Sequence, residues 1–441
     1  MKKINLLLFN LCLLLLGLQP VSSQQLISLE EGIGIALEQN YSLRIARNQQ
    51  TIAGNNFTRG NAGLLPVIDL RASYAGNLNN TEQVLRDGGR NNLSNIFNTN
   101  TNAGLQANWM IFDGWRGRIR YRQLEELKSA AEVSTRITLE NLVAQFASEY
   151  YFYVQQRQLF NNLQYSVDLS RERVRIEEEH FLLGSGSKVR LLQARVNLNA
   201  DSSRLERQYE VLSAAQIRLG EVMALPDLAE AFLPIDTLIR INTDLTYDEL
   251  YTQVLQQNGA MVLARQSLTI SQQDLRLVNA LKYPYVNFNA GYGYTYNTFQ
   301  SGTLKNQQTI GLSHGITVGI NLYDGKNQQR RKNNALIEVE NQELTLEQVQ
   351  QEVTANLLII FNTYTNNIRL LSLETQNLEV ARENLDIAFD RYRLGALSGF
   401  ELREVQKDLL EAEERLLSIQ YQAKMAEISL LQISGRILDV I

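Results

Sequence analysis

The side chains best suited to catalysis or metal binding are few in this sequence and lie far apart. The two histidines, His180 and His314, have no partner at a spacing that would let them share a metal ion. The stretch Gly184–Lys188 looks like a phosphate-binding loop in composition, but it lacks the spacing of one and the preceding strand. Carboxylate runs at Glu177–Glu179 and Glu411–Glu414 are typical of a solvated helix face. We therefore expect no enzyme, no metal site and no cofactor.

The charge balance argues against nucleic acid as a partner. The formal net charge of the 441-residue chain is −5, and it becomes −7 when Lys2 and Lys3 are left out. An acidic chain binds nucleic acid poorly, because the phosphate backbone is itself negative. No segment after the N-terminus is apolar for long enough to predict a transmembrane helix.

The first 23 residues have the features of an export signal. Lys2 and Lys3 precede an apolar run over Ile4–Leu18, and small residues at Val21–Ser23 offer a cleavage site. Cleavage there removes the only cysteine, Cys12, so the mature chain has neither disulfides nor thiolate chemistry. The residues before Cys12 match a lipoprotein cleavage box poorly, which argues against a lipid anchor.

Two long proline-free stretches must position whatever function the chain has. One runs from Asp113-Gly114 to Leu183-Gly184, and the other, displaced by 211 residues, runs from Asp324-Gly325 to Leu394-Gly395. Apolar residues recur in both at gaps of three and four, so each predicts a helix of about 70 residues, roughly 105 Å long. A glycine-containing break follows each stretch and a second helical run follows the break, which indicates two helical hairpins.

The duplication covers each half of the chain. The capping box at Ser28–Glu31 recurs 218 residues later at Thr246–Glu249, and Pro66 recurs as Pro284. A repeat of this length is a doubled domain rather than a solenoid. The predicted organisation is a signal peptide over residues 1–23, a first repeat over 24–225 with its tip at 184–187, a connecting segment over 226–245, and a second repeat over 246–441 with its tip at 395–399.

After each of those prolines the apolar period changes from 3.6 to 2. This alternation predicts one β-hairpin in each repeat, over about 66–112 and about 284–323, with an asparagine-rich loop from Asn77 to about Asn102 in the first. Strands of this pattern are typical of membrane-spanning sheets, although a hairpin on a soluble core alternates in the same way. The export signal and the uncharged apolar faces favour the membrane. His314 falls in the apolar phase, where a bulge, a rim position or a strand interface could accommodate it.

Four strands cannot close a barrel. An open sheet edge in lipid leaves backbone groups without hydrogen bonds, so the chain must associate with other copies. Bacterial outer-membrane barrels begin at about eight strands, which makes two or three copies the smallest solutions.

The export signal, the doubled halves, the proline-headed strands, the Asp-Gly helix starts and the Leu-Gly-x-x-Ser tips together resemble the TolC family of outer-membrane efflux channels. The resemblance covers essentially the whole mature chain and lies more in the architecture than in any single motif. It implies an α+β membrane protein with two internal repeats, in which a long antiparallel α-helical tunnel joins a transmembrane β-barrel shared by a homotrimer, four strands per chain. It also implies a location in the outer membrane, in contact with its lipid, with the helices extending into the periplasm.

The same resemblance implies partners and sites. An inner-membrane pump and a periplasmic adaptor would hand substrate to the channel, in an efflux or a type I secretion system, and the adaptor would dock on the helical tips. The residues that match the family's tips are Leu183, Gly184, Ser187, Leu394, Gly395 and Ser398.

The resemblance also implies a gate just beyond the second tip. The matching positions are Glu401 and Glu404, six and nine residues after the tip glycine, together with Tyr392. The corresponding acidic position after the first tip is Arg190 here, which departs from the family pattern. Arg190 offers a different latch if it pairs with Glu401 or Glu404 of a neighbouring helix.

Two other functions fit parts of the sequence. A structural or adhesive envelope protein could use the same helices as a periplasmic coiled coil, and conductance measurements distinguish it from a channel. A soluble periplasmic adaptor would not need two lipid-facing hairpins. We therefore predict a passive channel.

Overall fold

A computed structural model describes residues 25–439, so the predicted export signal lies outside the described residues. In chain order the elements are β1 (Gln25–Ile27), α1 (Leu29–Gln39), α2 (Tyr41–Asn56), β2 (Val67–Val84), β3 (Arg90–Phe112), α3 (Arg116–Leu182), α4 (Lys188–Met223), β4 (Phe232–Pro234), α5 (Tyr247–Gln257), α6 (Gly259–Ala280), β5 (Tyr285–Thr298), β6 (Asn306–Gly319), α7 (Asn327–Arg393) and α8 (Gly399–Ile433), followed by a 3₁₀ turn over Ile437–Asp439. None of these helices is long and apolar enough to cross a membrane within the described part of the chain.

The chain forms two compact units. The first consists of the chain up to Ile45, of Ile137–Asn258 and of the chain from Val353 onward. The second consists of Ala46–Arg136 and Gly259–Glu352.

The second unit contains a four-stranded antiparallel sheet in the order β2-β3-β5-β6. Each repeat supplies one hairpin, and β3 pairs with β5 to join the two hairpins. Within this sheet β2 and β6 are the edge strands and have one strand partner each. The backbone groups on their outer sides are therefore available to another chain.

The predicted loop from Asn77 to about Asn102 is wrong. β2 continues to Val84 and β3 begins at Arg90, so most of that stretch is paired strand. The error has a physical cause, because asparagine is a common turn residue and its amide also hydrogen-bonds well across a sheet. Here Asn100 Nδ2 donates to Asn297 Oδ1 at 2.6 Å, and these amides form a polar ladder between strands.

The two faces of the sheet differ sharply in polarity. On β6 the side chains of Leu312, Ile316 and Val318 lie on one face and are 66 to 70% exposed. Ser313 and Thr317 lie on the opposite face, as the alternation predicts. His314 lies between Leu312 and Ile316 on the apolar face. The exposed apolar side chains around it are unfavourable in water, so this face requires lipid or a partner.

The two long helices, α3 and α7, each run unbroken for 67 residues. The Asp-Gly pairs mark both starts, because Gly114 and Gly325 adopt left-handed backbone with φ of 72° and 70°. At the first start the Asp113 carboxylate accepts a hydrogen bond from the Gly117 N–H at 2.8 Å, which satisfies one of the free donors of α3.

The helical segment that begins after the capping box at Ser28 is divided into two helices, α1 and α2. It breaks at Asn40, whose side-chain oxygen accepts from Ser42 N at 2.9 Å and whose amide donates to Val222 O at 3.0 Å. Asn258 breaks the second copy at the matching position and donates to Ile433 O at 2.9 Å. Both asparagines thus tie the helix break to the end of the returning helix of the same repeat.

The core of the first unit is built on α3. Phe146, Tyr150 and Tyr153 are each at most 1% exposed. The hydroxyls of the two tyrosines reach the connecting segment, because Tyr150 donates to Asp236 Oδ2 at 2.7 Å and Tyr153 donates to Phe232 O at 2.8 Å. Burial raises the pKa of Tyr150, so its hydroxyl stays protonated and remains a donor.

A short parallel pair, β1 with β4, fixes the connecting segment to the start of the chain. The sequence does not predict this pair, since three-residue strands carry no readable alternation. The segment over residues 226–245 is therefore anchored by strand pairing as well as by the two tyrosines.

Candidate docking tips and gate

The two helical tips have the same backbone construction. Gly184 and Gly395 lie at the C′ position with φ of 70° and 74°. At the second tip Gly395 N donates to Tyr392 O at 2.9 Å and Ala396 N donates to Arg391 O at 2.8 Å, which is a Schellman motif. The first tip makes the equivalent bonds to Phe181 O and His180 O. Both turns therefore depend on glycine at one position.

The leucines before the glycines point away from the protein. Leu183 is 81% exposed and Leu394 is 84% exposed. Aromatic and aliphatic neighbours extend the apolar surface, with Phe400 at 74% and Val189 at 75%. Exposed apolar side chains clustered at a turn are typical of a protein-interaction surface.

The tip serines are helix caps. The Ser187 side chain accepts from Arg190 N at 3.3 Å at the start of α4. Ser398 begins α8 with a complete capping box, in which Glu401 Oε2 accepts from Ser398 N at 2.9 Å and the Glu401 N–H donates to Ser398 Oγ at 3.2 Å. The Ser398 hydroxyl also donates to Glu401 Oε2 at 2.7 Å, and this bond, followed by the bond from Ser398 N, lowers the pKa of Glu401. Both serines thus have a structural reason to recur in the two copies.

Replacing Gly184 or Gly395 with valine should abolish efflux while trimers still assemble in the outer membrane. A β-branched residue opposes left-handed backbone and adds about 1–2 kcal/mol of strain to the turn. A Cβ at either glycine meets no atom within 4 Å, so the effect would come from the backbone and not from a clash. Efflux is measured by drug susceptibility of a strain that lacks its own channel, and assembly by trimer content of the outer membrane.

Gly63, also at positive φ with free space around it, provides the matched control. Gly63→Val strains a turn away from the tips and should leave export intact. Full export by both tip variants would show that the tips are ordinary turns.

A polar stripe runs along α3 just before the first tip. Ser170, Arg173 and Glu177 are separated by three and four residues, so they share one helix face. All three are at most 5% exposed. This burial is not evident from the sequence, and our prediction that Glu177 belongs to a solvated face is wrong, although Glu178 and Glu179 are exposed as expected.

Tyr392 meets this stripe at the end of α7. Its hydroxyl donates to Glu177 Oε1 at 2.7 Å in a buried position. Burial and this hydrogen bond raise the pKa of Tyr392. The tyrosine is therefore neutral at physiological pH and remains the donor.

Arg173 connects the stripe to α8. Its Nη1 donates to Gln406 Oε1 at 2.9 Å and its Nη2 donates to the Gly399 carbonyl at 3.0 Å. Burial lowers the pKa of this arginine, although nearby Tyr392 and carboxylates oppose the shift. The guanidinium thus holds the first residue of α8 against α3.

Asp201 of α4 receives three hydrogen bonds. Arg403 binds both of its carboxylate oxygens, at 2.7 and 2.8 Å, and Ser170 Oγ donates to Oδ2 at 2.6 Å. A bidentate arginine pair is among the strongest side-chain contacts. We call Ser170, Arg173, Glu177, Asp201, Tyr392, Arg403 and Gln406 the polar cluster, and it joins α3, α4, α7 and α8.

The polar cluster is incompletely satisfied. Glu177 Oε2, Arg173 Nε and Gln406 Nε2 are buried and have no hydrogen-bond partner among the described residues. Each unsatisfied buried group costs about 1–3 kcal/mol. Separating the helices would let water reach these atoms, so part of the cost of breaking the cluster would be recovered.

The other predicted gate residues lie on the surface of the single chain. Glu401, Glu404 and Arg190 are all exposed, and Arg190 makes no ion pair with any residue that the structure describes. A contact between Arg190 and either glutamate therefore stays a prediction about neighbouring copies.

The second carboxylate run, Glu411–Glu414, also contains both a buried and an exposed residue. Glu413 is buried and desolvation raises its pKa, whereas Glu411 is exposed.

No group of three or more histidine, cysteine, aspartate or glutamate side chains within residues 25–439 could hold a metal ion.

The structure thus combines doubled helical hairpins, two Schellman tips and a sheet with an exposed apolar face. The chain belongs to the outer membrane efflux protein family, whose sequence profile matches residues 32–224 and 250–436. It is thus a channel of an efflux system, located in the outer membrane and extending into the periplasm. The predicted family, function and location are confirmed.

Solved structures of outer-membrane channels share the fold. The Campylobacter jejuni CmeC channel is 16% identical, with a TM-score of 0.75 over 92% of this chain and 85% of that one. The Neisseria gonorrhoeae MtrE channel, solved in its open state, is 15% identical, with a TM-score of 0.73 over 92% and 88%. CusC is 18% identical, with a TM-score of 0.74 over 95% of both chains. No curated protein sequence matches the chain.

These structures confirm the predicted fold class. Two repeats, four strands per chain and a barrel that is not closed by one copy agree with a barrel shared in a trimer.

Proposed function

We propose that three copies of this chain form a passive export duct, which an inner-membrane pump loads through a periplasmic adaptor and which opens at the helical tips. The sheet carries this proposal. Its apolar face is exposed and its two edge strands have free backbone groups, so it needs both lipid and further copies of itself. Three copies supply twelve strands, within the range of bacterial barrels.

The adaptor would bind the exposed leucines of both tips. Leu183 and Leu394 are almost fully exposed at turns of identical construction, so one adaptor surface could bind either tip. An interface built on them would bury apolar side chains that are unfavourable in water. The duct would conduct and not catalyse, with energy supplied by the pump.

The polar cluster would hold the duct closed. It ties the ends of α7 and α8 to α3 and α4, next to the two tips, so opening by outward movement of one hairpin requires breaking it. The orphaned atoms of the cluster reduce the cost of that step. Because the tips are next to the polar cluster, adaptor binding at the tips would shift the equilibrium between the closed and the open duct.

Conductance of the purified trimer in a planar bilayer tests the proposed function. We expect discrete single-channel steps that increase when the polar cluster is broken. Absence of any steps from protein that is trimeric and membrane-inserted would contradict it and favour a structural or adhesive envelope protein, the runner-up from the sequence.

Changing Glu401 and Glu404 together to glutamine should lower cation selectivity. The two positions share one face of α8 just beyond the tip, so three copies would bring six carboxylates around one axis. Like charges in a narrow ring attract cations, and salt weakens the effect as the Debye length falls to about 3 Å at 1 M. Reversal potentials under a salt gradient measure the change. Glutamine still completes a capping box, so the start of α8 stays intact.

Arg190→Ala tests the alternative latch in the same assay. If Arg190 pairs with the carboxylate ring of a neighbouring copy, the variant should raise resting conductance. Glu411→Gln removes an exposed charge farther along α8 and is the matched control. It should change neither the reversal potential nor the resting conductance. Unchanged reversal potential in the double variant and unchanged conductance in Arg190→Ala would place all three residues outside the duct.

A further inference from the structure

We propose that β6 of one copy pairs antiparallel with β2 of the next in one defined register, in which Val318 lies opposite Ala72 and the numbers of every pair add to 390. This inference rests on the proposed trimer and specifies how its copies join. The occupant of each free sheet edge is the other edge of a second copy of this chain.

The internal repeat of the sheet gives the first step. In the β2–β3 hairpin the paired residue numbers add to 175, from Val67–Asn108 to Asn79–Ile96. In the β5–β6 hairpin they add to 604, from Tyr285–Gly319 to Thr298–Asn306. The difference is 429, which is the two sequence offsets, 218 and 211, taken together.

The two offsets therefore apply to different strands. Pro66 and Pro284, which precede β2 and β5, differ by 218, so β5 is β2 displaced by 218. The Asp-Gly pairs that follow the second strand of each hairpin differ by 211, so β6 is β3 displaced by 211. The pairing observed inside both hairpins agrees with these displacements.

The seam between the hairpins gives the second step. β3 pairs with β5 so that the numbers add to 397, from Thr99–Thr298 to Met110–Asn287. Because the two halves are repeats, the seam between copies is the same seam with β6 in the place of β3 and β2 in the place of β5. Adding 211 to the residue number in β3 and subtracting 218 from the residue number in β5 gives pairs of β6 and β2 residues whose numbers add to 390.

The side chains on both faces agree with this register. Apolar residues of one copy meet apolar residues of the next, and small or polar residues meet on the other face. Within β6 the apolar pairs are Val318–Ala72, Ile316–Tyr74 and Leu312–Leu78, and the polar-face pairs are Thr317–Ser73, Gly315–Ala75 and Ser313–Asn77. A slip by one residue would put the polar set of one strand beside the apolar set of the other.

The register also accounts for His314, which lies in the apolar phase of β6. It places His314 opposite Gly76 of the next copy, where the internal seam has Ala103 opposite Tyr294. In each pairing a small residue lies opposite a large side chain. The strand that carries the large side chain is β5 within one chain and β6 between copies. The Phe97 ring covers Gly76, since a Cβ there would lie 2.9 Å from Phe97 Cζ, so the imidazole meets an aromatic ring instead of lipid.

Cysteine cross-linking in the full-length protein tests the register. The matched variants are Val318→Cys with Ala72→Cys, and Thr317→Cys with Ser73→Cys. Adjacent pairs in an antiparallel ladder alternate between wide and narrow Cα spacing, about 5.5 and 4.5 Å, so both types are sampled within disulfide range. In one chain β2 and β6 are three strand spacings apart, about 14 Å, which prevents a bond within a copy. Oxidation should therefore produce covalent trimers on a denaturing gel without reductant.

Two slipped variants are the controls: Val318→Cys with Tyr74→Cys, and Thr317→Cys with Ala75→Cys. A displacement by two residues takes the Cα atoms out of disulfide range, so the matched pairs should give roughly tenfold more covalent trimer. Each single-cysteine variant is run beside them to detect bonds through Cys12 or between identical positions.

Three outcomes would overturn the inference or its basis, and they are distinguishable. Stronger cross-linking by the slipped pairs would overturn the register. No cross-link from any pair in protein that is trimeric before denaturation would overturn the β6–β2 contact. Unmodified protein that is monomeric in the outer membrane would overturn the proposed trimer itself.

Discussion

Arginine at Ile316 should nearly eliminate trimers from the outer membrane, whereas arginine at Thr317 should leave them close to normal. Ile316 lies on the apolar face of β6 and is 66% exposed, and Thr317 lies on the opposite face. An arginine that faces lipid near the bilayer midplane costs about 2–4 kcal/mol, and the trimer would carry three of them. On the polar face the guanidinium stays in water.

Trimer content of isolated outer membranes, measured before and after heating in detergent, gives the result. Val318→Arg should behave like Ile316→Arg, and Ser313→Arg like Thr317→Arg, which matches each variant with one on the same face. Similar assembly for both faces would contradict the assignment of the apolar face to lipid.

Tyr392→Phe should raise the resting conductance of the trimer by about tenfold or more. The substitution removes one hydroxyl, which donates to Glu177 in a buried position. A hydrogen bond to a charged group is worth about 1.5–3 kcal/mol, and its loss leaves both oxygens of the Glu177 carboxylate without a partner. The substitution therefore destabilises the closed duct by this amount. It has little effect on the open duct, where water can hydrogen-bond to the Glu177 carboxylate.

Tyr165→Phe provides the control, because Tyr165 lies on α3, as Glu177 does, but is 52% exposed. It should leave single-channel conductance unchanged. Glu177→Gln keeps an oxygen that can accept from Tyr392 and should have a smaller effect than Tyr392→Phe. Normal resting conductance in Tyr392→Phe, with trimers intact, would show that this bond does not hold the duct closed.

Local sequence chemistry predicted the elements of the fold well. The capping box at Ser28, the Asp-Gly starts and the tip glycines each define a helix end through backbone groups only a few residues away. The capping box predicted at Thr246–Glu249 is wrong, because the Thr246 side chain makes no capping hydrogen bond, although α5 still begins at Tyr247. The alternation after Pro66 and Pro284 located both hairpins for the same reason, since period-2 patterns are local. The offset between the halves could also be read directly, and the pairing of the strands agrees with it.

The polar cluster could not be predicted in the same way. Ser170, Arg173 and Glu177 have the spacing of a solvated helix face, and only contacts with α4, α7 and α8 decide that they are buried. Tyr392 was identified through the family resemblance, but its partner Glu177 was not. Those partners come from helices more than 30 residues away in sequence, where spacing carries no information.

The asparagine-rich stretch was misread because asparagine suits two environments. Asparagine is common in solvent-exposed turns, where it ends a strand. Between two paired strands its amide can instead hydrogen-bond to a side chain of the neighbouring strand, as Asn100 does with Asn297. The β1–β4 pair was missed because it is parallel, short and joins residues about 200 positions apart, a connection no local pattern encodes.

The unequal hairpins determine what the outside of the cell encounters. β2 and β3 continue pairing as far as Val84–Arg90, whereas β5 and β6 stop at Thr298–Asn306. In the proposed trimer the wall of the barrel would therefore be nearly sixfold around its axis, but its rim would have only threefold symmetry, with three long hairpins alternating with three short ones. The turn at Asp87-Gly88 lies at the end of each longer hairpin, so in the proposed trimer it would project beyond the turns of β5 and β6.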